Sequence, residues 1–455
     1  METIFVADPL RLIIVALLGF ALLLFLIIRL KLHSLIAILV SAAFIGFGSG
    51  MPTDMVLQAF TTGITNTLGS IALIVGLGSM FGGLLAATGA AEVLANTLIN
   101  RFGSNKAVIA IGITSLLVGI PVFYDAAFII LLPLVFQVAR KTGQSLLTFV
   151  IPLVSGIGLS QMIAPTPGPI LVSGQLSADL GIMTLFALLI VVPAWILSGY
   201  LLGKMIGRRM FVPVPETFAA NDNSNNGNTA SFSTVLLIML SPIFLILLNT
   251  GFSMVETENT ALNILKEVGQ FIGQPFVALT IANLLALYFL GIRRGFKAGD
   301  LEQTMTKALN PVAIIILVTA GGGVLRYMLE YSGTATLIGN FISSMHMPII
   351  VVAYIIAVAL RVSIGSAVVS MTMTAGILTP MPQMAELSPA YLALVALVVI
   401  NGATSFSHVN DSGFWMFKEY MNLDLKTTLK SWTLYTGIAS IVTFLIILLI
   451  SFFVS

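Results

Sequence analysis

Apolar runs of about 20 residues follow one another along nearly the whole chain, with short polar links between them. At 1.5 Å of helical rise per residue, such a run matches a bilayer hydrocarbon core of about 30 Å. The pattern predicts complete or near-complete spans at 12–28, 34–50, 67–87, 146–176, 182–203, 233–251, 274–292, 311–330, 390–419 and 431–453. Two further apolar stretches, 107–139 and the one around 362–372, are too short to hold two full spans each. The fold class that follows is an all-α polytopic membrane protein of about 10 spans plus 2 re-entrant hairpins.

Composition agrees with this reading: 58% of residues are hydrophobic and 8% charged, against about 25% charged in soluble domains. The basic residues are scattered, so nothing points to nucleic acid. The absence of cysteine removes disulfides and thiolate metal sites, and His33, His346 and His408 are too dispersed for a metal centre. No phosphate-binding loop, dinucleotide fingerprint or zinc-protease motif occurs, so neither ATP hydrolysis nor a cofactor is expected. Asp8 precedes the first apolar run and Arg29 and Lys31 follow it, the reverse of a cleavable signal, so this run reads as a retained span.

Charge then orients the chain. With the N-terminus outside, 16 of the 20 Lys and Arg residues fall in inside links; Arg11 and Lys266 lie outside, and Arg326 and Arg361 fall within apolar segments. Both termini are then periplasmic in a bacterial host. Lys106 and Arg140–Lys141 bracket Ala107 to Ala139, and both brackets are inside. A segment that enters and leaves on one side is a hairpin. Its arms of about 13 residues are too short to cross, and its tip, "GIPVFYD", borders a cavity because non-helical backbone at depth needs protein or water around it.

The second half of the chain repeats the first at a shift of about 244 residues. "GSMFGGLLAATGAAEVLAN" (78–96) matches "GGVLRYMLEYSGTATLIGN" (322–340), and "ADLG" (178–181) meets "MNLD" (421–424). The same shift carries the hairpin tip onto "VSIGSAVVSMT" (362–372) and "APTPGP" (164–169) onto "SHVNDS" (407–412). Charge places the two hairpins on opposite sides, which makes 1–210 and 233–455 inverted repeats joined by an Asn-rich cytoplasmic linker, 211–232. Such repeats build a midplane site in secondary transporters, where broken helices offer dipole ends and free N–H groups to an anion.

Candidate chemistry sits at these interruptions. In "SHVNDSGFWMFKEY" (407–420), Ser407, His408, Asn410, Asp411 and Ser412 crowd between apolar runs. A His408–Asp411 pair exchanges protons near neutral pH, and Asn410 and the serines suit substrate hydroxyls. The prolines of "APTPGP" stop the helix and free carbonyls around Thr166, Pro167 and Gly168, with Thr166 the only side-chain hydroxyl. Arg361 opens the second hairpin tip, followed by Gly365 and Ser366; its guanidinium either binds a substrate carboxylate or snorkels to the interface. Arg326 and Glu330 form a local i,i+4 pair. Asp125 is either a proton carrier or an acceptor that caps loose N–H groups at its tip.

The stretches "GIPVFYDAAFIILLPLVF", "APTPGP", "LRVSIGSAVV" and "SHVNDSGFWMFKEY" resemble the gluconate permease family, the gluconate:proton symporters, almost end to end. The resemblance implies a bacterial inner-membrane uptake system for sugar acids driven by protons. The family is similar to the wider ion-transporter superfamily, whose members move a hairpin-bearing domain against a scaffold, usually as homodimers in membrane lipid. Pro165-Thr166-Pro167-Gly168-Pro169 departs from the family's usual Pro-His-Pro-Gly-Pro, and many members have Glu where Asp125 stands.

The reading is thus a symporter of a small hydroxylated monocarboxylate. Thr166, Pro167, Gly168, Arg361, Gly365, Ser366, Ser407, Asn410 and Ser412 are its substrate candidates, and Asp125, His408 and Asp411 its proton candidates. Sodium coupling and an intramembrane enzyme using the acids as general acid and base stand as alternatives; the paired hairpins count against the enzyme. The topology has a direct check in this cysteine-free chain. A cysteine replacing Ser224 should label only from the cytoplasm and one replacing Asn259 only from the periplasm; labelling of both by an impermeant reagent on intact cells removes the inversion.

Overall fold

The computed structural model describes residues 8–102, 106–215, 230–253, 260–344 and 347–454. They fold into helices, with no strand among the described residues. In chain order, α1 (Pro9–Ile28) and α2 (Ser34–Ser49) precede a long α3 (Thr53–Ala87) and α4 (Ala90–Phe102). Next come α5 (Ala107–Gly119), α6 (Tyr124–Thr142), α7 (Leu147–Ser160), α8 (Pro167–Leu176) and α9 (Leu180–Arg209). After the linker, α10 (Phe232–Ser253), α11 (Thr260–Ile272) and α12 (Pro275–Arg294) lead into the long α13 (Ala298–Tyr331). The order then runs α14 (Thr334–Ser344), α15 (Ile349–Ile364), α16 (Ala367–Leu378), α17 (Pro389–Ala403), α18 (Ser412–Tyr420) and α19 (Leu425–Ser451).

Among the described residues, 7 helices are long and apolar enough to cross a membrane, and each coincides with one of the expected spans. The chain is a multi-pass membrane protein. Of the other expected spans, 34–50 is the 16-residue α2, while 146–176 and 390–419 are each broken into two short helices. The breaks fall where the polar and proline residues interrupt the apolar runs: Gln161–Thr166, with a cis Ala164–Pro165 bond, and Thr404–Asp411. The helix runs from α3 to α9 and from α13 to α19 share one order, long, short, hairpin pair, broken pair, long.

The hairpins have unequal arms. α5 has the expected 13 residues, but α6 has 19, carrying Arg140 and Lys141 in its last turn, where they complement the helix dipole. Pro133 lies inside α6, so one ladder hydrogen bond is missing there rather than the helix ending. The expected linker 211–232 divides: 216–229 lie outside the described residues, whereas Val212 is docked, its N–H on Ser145 Oγ (3.1 Å) and its carbonyl on Leu146 N–H (2.8 Å).

Between apolar helices in lipid, association rests on close packing rather than on water exclusion, and small residues allow it. α3 and α13 pack antiparallel through glycine. A Cβ on Gly63 would lie 2.6 Å from the Val324 backbone, one on Gly323 2.5 Å from the Gly63 carbonyl. Further along, Ser79 Oγ donates to the Ala308 carbonyl. A neighbouring face of α3 supports the centre: a Cβ on Gly82 would come within 2.3 Å of the Pro121 carbonyl at the first hairpin tip, and one on Gly78 within 3.1 Å of the Pro165 carbonyl in the first break. Gly63→Val should therefore lower the thermal unfolding midpoint in detergent, costing about 1–3 kcal/mol through overpacking. Gly69, which has nothing within 4 Å of its Cβ direction, should accept Ala with no loss and a gain of up to about 1 kcal/mol. Equal midpoints for the two variants contradict the close crossing.

Candidate functional site

Four helices begin at one point. α6 and α16, the second arms of the two hairpins, and α8 and α18, the second halves of the two broken helices, all place their first residues on a cavity of about 550 Å³. Tyr124–Asp125, Pro167–Gly168, Ser366–Ala367 and Ser412–Gly413 supply these walls, and Trp432 and Tyr435 of α19 close another. Phe123, Thr166 and Asp411, the residues before three of the four starts, give no side-chain cap; only Ser366 does, accepting weakly from Val369 N–H at 3.4 Å. First-turn N–H groups have no helical partner, so the cavity meets positive helix ends with open donors, except at α8, where Pro167 and Pro169 carry no N–H and leave Gly168 as the first-turn donor.

The opposite ends are treated differently, because the helices that stop here have their carbonyls taken by side chains. Gln161 Nε2 donates to the Gly119 carbonyl at 2.9 Å, joining the first break to the end of α5. Thr166 turns its hydroxyl back on the Gln161 (2.9 Å) and Ile163 (2.7 Å) carbonyls and does not line the cavity. The expectation that Thr166 meets substrate is corrected on that ground: its hydroxyl closes the break, while Pro167 and Gly168 form the wall.

Arg361 neither snorkels nor stands free. It is 4% exposed, at the end of α15, and donates from Nε to the Ser405 carbonyl (3.3 Å), from Nη1 to the Gly365 carbonyl, and from Nη2 to Asp411 Oδ2 (2.5 Å). The guanidinium fastens the second hairpin tip to the second break and also forms part of the cavity wall. Gly365 makes this approach possible. Its φ of 86° lies in the left-handed region, and a Cβ there would sit 2.2 Å from the Asn410 carbonyl.

His408 and Asp411 do not pair. His408 Nε2 lies 3.0 Å from the Val362 carbonyl, which also accepts from Asn410 Nδ2 at 2.8 Å. Asp411 instead receives Ser407 Oγ and Arg361. The reason is geometric: a turn between them, with Asp411 N–H on the His408 carbonyl (2.9 Å), sends the two side chains to different partners. His408 is not on the cavity wall; Ser407, Asn410, Asp411 and Ser412 are. Asp125 lines the cavity from the first turn of α6 and accepts no hydrogen bond among the described residues.

Sequence reasoning missed Gln161, Tyr124 as a wall residue, and Trp432. Trp432 Nε1 donates to Ser407 Oγ at 2.7 Å, and its ring meets Tyr124 edge-on at 6.4 Å between centroids. In the chain it sits beside Lys430, where an indole reads as an interface anchor. A wide helical turn over Leu429–Thr433 carries it inward. Arg326 and Glu330 do approach, Nε to Oε2 at 3.9 Å, away from this cavity.

Among the described residues, the cavity wall thus carries one buried guanidinium, two carboxylates and a ring of hydroxyl and amide groups. Known proteins resemble the chain over nearly its whole length. A gluconate permease of Pseudomonas aeruginosa is 35% identical over 432 residues, covering 94% of each chain. A Gnt-II system L-idonate transporter of Escherichia coli is 34% identical over 434 residues, covering 95% of this chain and 97% of that one. The fold is similar to that of the YdaH transporter of Alcanivorax borkumensis, with a TM-score of 0.66 and 16% identity over 89% of this chain and 90% of that one. The family description "GntP family permease" matches residues 10–453, and the chain belongs to that family of membrane permeases.

Proposed function

We propose that the protein is a proton-coupled symporter that imports gluconate or a closely related sugar acid across the bacterial inner membrane. The observation that carries this reading is the convergence of four helix starts, three without a side-chain cap, on one chamber. Unclaimed N–H donors and positive dipole ends suit a carboxylate without a dedicated free cation. Ser366, Asn410 and Ser412 offer groups for hydroxyls, and a gluconate permease and an L-idonate transporter are among the similar proteins.

The charge count supports coupling to a proton. Arg361, Asp125 and Asp411 are the charged residues on the wall, so the chamber holds a formal charge of −1 before substrate arrives. An incoming carboxylate would add a second negative charge. At roughly 7 Å and an effective dielectric near 20, two such charges repel by about 2 kcal/mol. A proton entering with the substrate removes that cost.

The shared helix order and the antiparallel packing of α3 on α13 support two inverted repeats, 1–210 and 233–455, with both termini periplasmic and the linker cytoplasmic. In this reading α1–α2 and α10–α12 form a static scaffold and dimer interface, and the hairpins travel with the broken helices. Purified protein in liposomes should accumulate labelled gluconate when an inward pH gradient is imposed, by about tenfold per pH unit for one proton per substrate, and should ignore a sodium gradient. Accumulation driven by sodium alone would replace the coupling ion; absence of any gluconate uptake or exchange would remove the substrate class.

A further inference from the structure

The direction of the hydrogen bonds around the second break separates the three acid–base candidates, granted the proton-symport reading. An indole nitrogen can only donate. Trp432 Nε1 is therefore the donor in its 2.7 Å bond to Ser407 Oγ, and the single Ser407 proton is left for Asp411 Oδ2. Arg361 also only donates, and its Nη2 reaches that same Oδ2 at 2.5 Å. Two donors of fixed direction thus converge on one carboxylate oxygen. A proton on that oxygen would turn one of them away. The chain is rigidly backed, with Trp432 5%, Ser407 2% and Arg361 4% exposed.

His408 is set apart by position. A carbonyl only accepts, so the Nε2 that faces the Val362 carbonyl at 3.0 Å carries hydrogen and only Nδ1 is left to take up a proton, on a ring that is off the cavity wall. Asp125 differs from both. It is exposed on the cavity wall and has neither a hydrogen bond nor an ion pair among the described residues. The titratable and charged groups around it are Tyr124 beside it, Asp411 and Arg361 on the same wall, and Tyr435 from α19.

We infer that Asp125 alone carries the transported proton, and that Trp432, Ser407, Asp411 and Arg361 form a one-way hydrogen-bond clamp that joins the second hairpin tip to the second break. The step is a proton exchange only: the Asp125 carboxylate gains one proton on the side where substrate enters and returns it where substrate leaves. Asp411 and Trp432 are positioning residues, and no bond to the substrate forms or breaks.

The test uses the full chain in liposomes with labelled gluconate as probe, reading accumulation under a pH gradient and one-for-one exchange without one. In Asp125→Asn the accumulation ratio should fall from about tenfold per pH unit to parity, while exchange continues and loses its pH dependence. Trp432→Phe should slow exchange by a similar factor at every pH and leave the accumulation ratio at its wild-type value. Asp125→Asn that still concentrates gluconate overturns the inference, as does Asp411→Asn behaving as the uncoupled exchanger. If Asp125→Asn does not insert, Asp125→Glu serves: it should still accumulate substrate with a displaced pH profile of exchange, and an unmoved profile overturns the assignment. Failure of the wild type to respond to a pH gradient instead removes the symport reading itself, and is seen before any variant is made.

Discussion

A helix broken inside a bilayer strands backbone groups that lipid cannot satisfy, and the centre of this protein is organised by how those groups are partnered. Carbonyls at the stopping ends receive side chains: Gln161 serves Gly119, Thr166 serves Gln161 and Ile163, and Arg361 serves Gly365 and Ser405. The starting ends are mostly left open to the cavity. This asymmetry leaves N–H groups rather than carbonyls facing the cavity. An orphan carbonyl beside an anion would repel it, whereas an orphan N–H attracts it.

The two halves contribute unequally to that chamber. The first gives the uncompensated Asp125 and a proline-bounded break whose wall, at Pro167 and Gly168, bears no charge. The second gives Arg361 and Asp411, already joined to each other. A shared helix order therefore carries unshared chemistry. Breaking either partner of a buried pair leaves the other uncompensated, so the pair serves better as a fixed strut than as a group that changes charge in every cycle.

Much of this plan is legible in the chain. Glycine, proline and polar residues inside apolar runs located both hairpin tips and both breaks, because few things other than a break explain them at that depth. Partner choice was not legible. His408 and Asp411 look like a pair at three positions apart, yet the turn between them directs one to Val362 and the other to Arg361, 50 residues upstream. The length of α3 was also hidden. Its first turns, with Thr61, Thr62 and Asn66, read as a polar link, but Asn66 Nδ2 is met by the Tyr327 hydroxyl at 2.7 Å from α13. A distant partner makes that polar stretch affordable, and distance along the chain is what a linear pattern does not encode.

The position of Trp432 has an optical consequence. The chain contains three tryptophans. Trp195 is buried against α7, its Nε1 on the Pro152 carbonyl at 3.0 Å, and Trp415 is 43% exposed on α18. Only Trp432 forms part of the cavity wall. An indole emits at a wavelength set by the polarity around it, so one fluorophore of the three views the chamber directly, while the other two view protein interior and exterior. The protein therefore carries its own spectroscopic gauge of what fills its central chamber, without any added label.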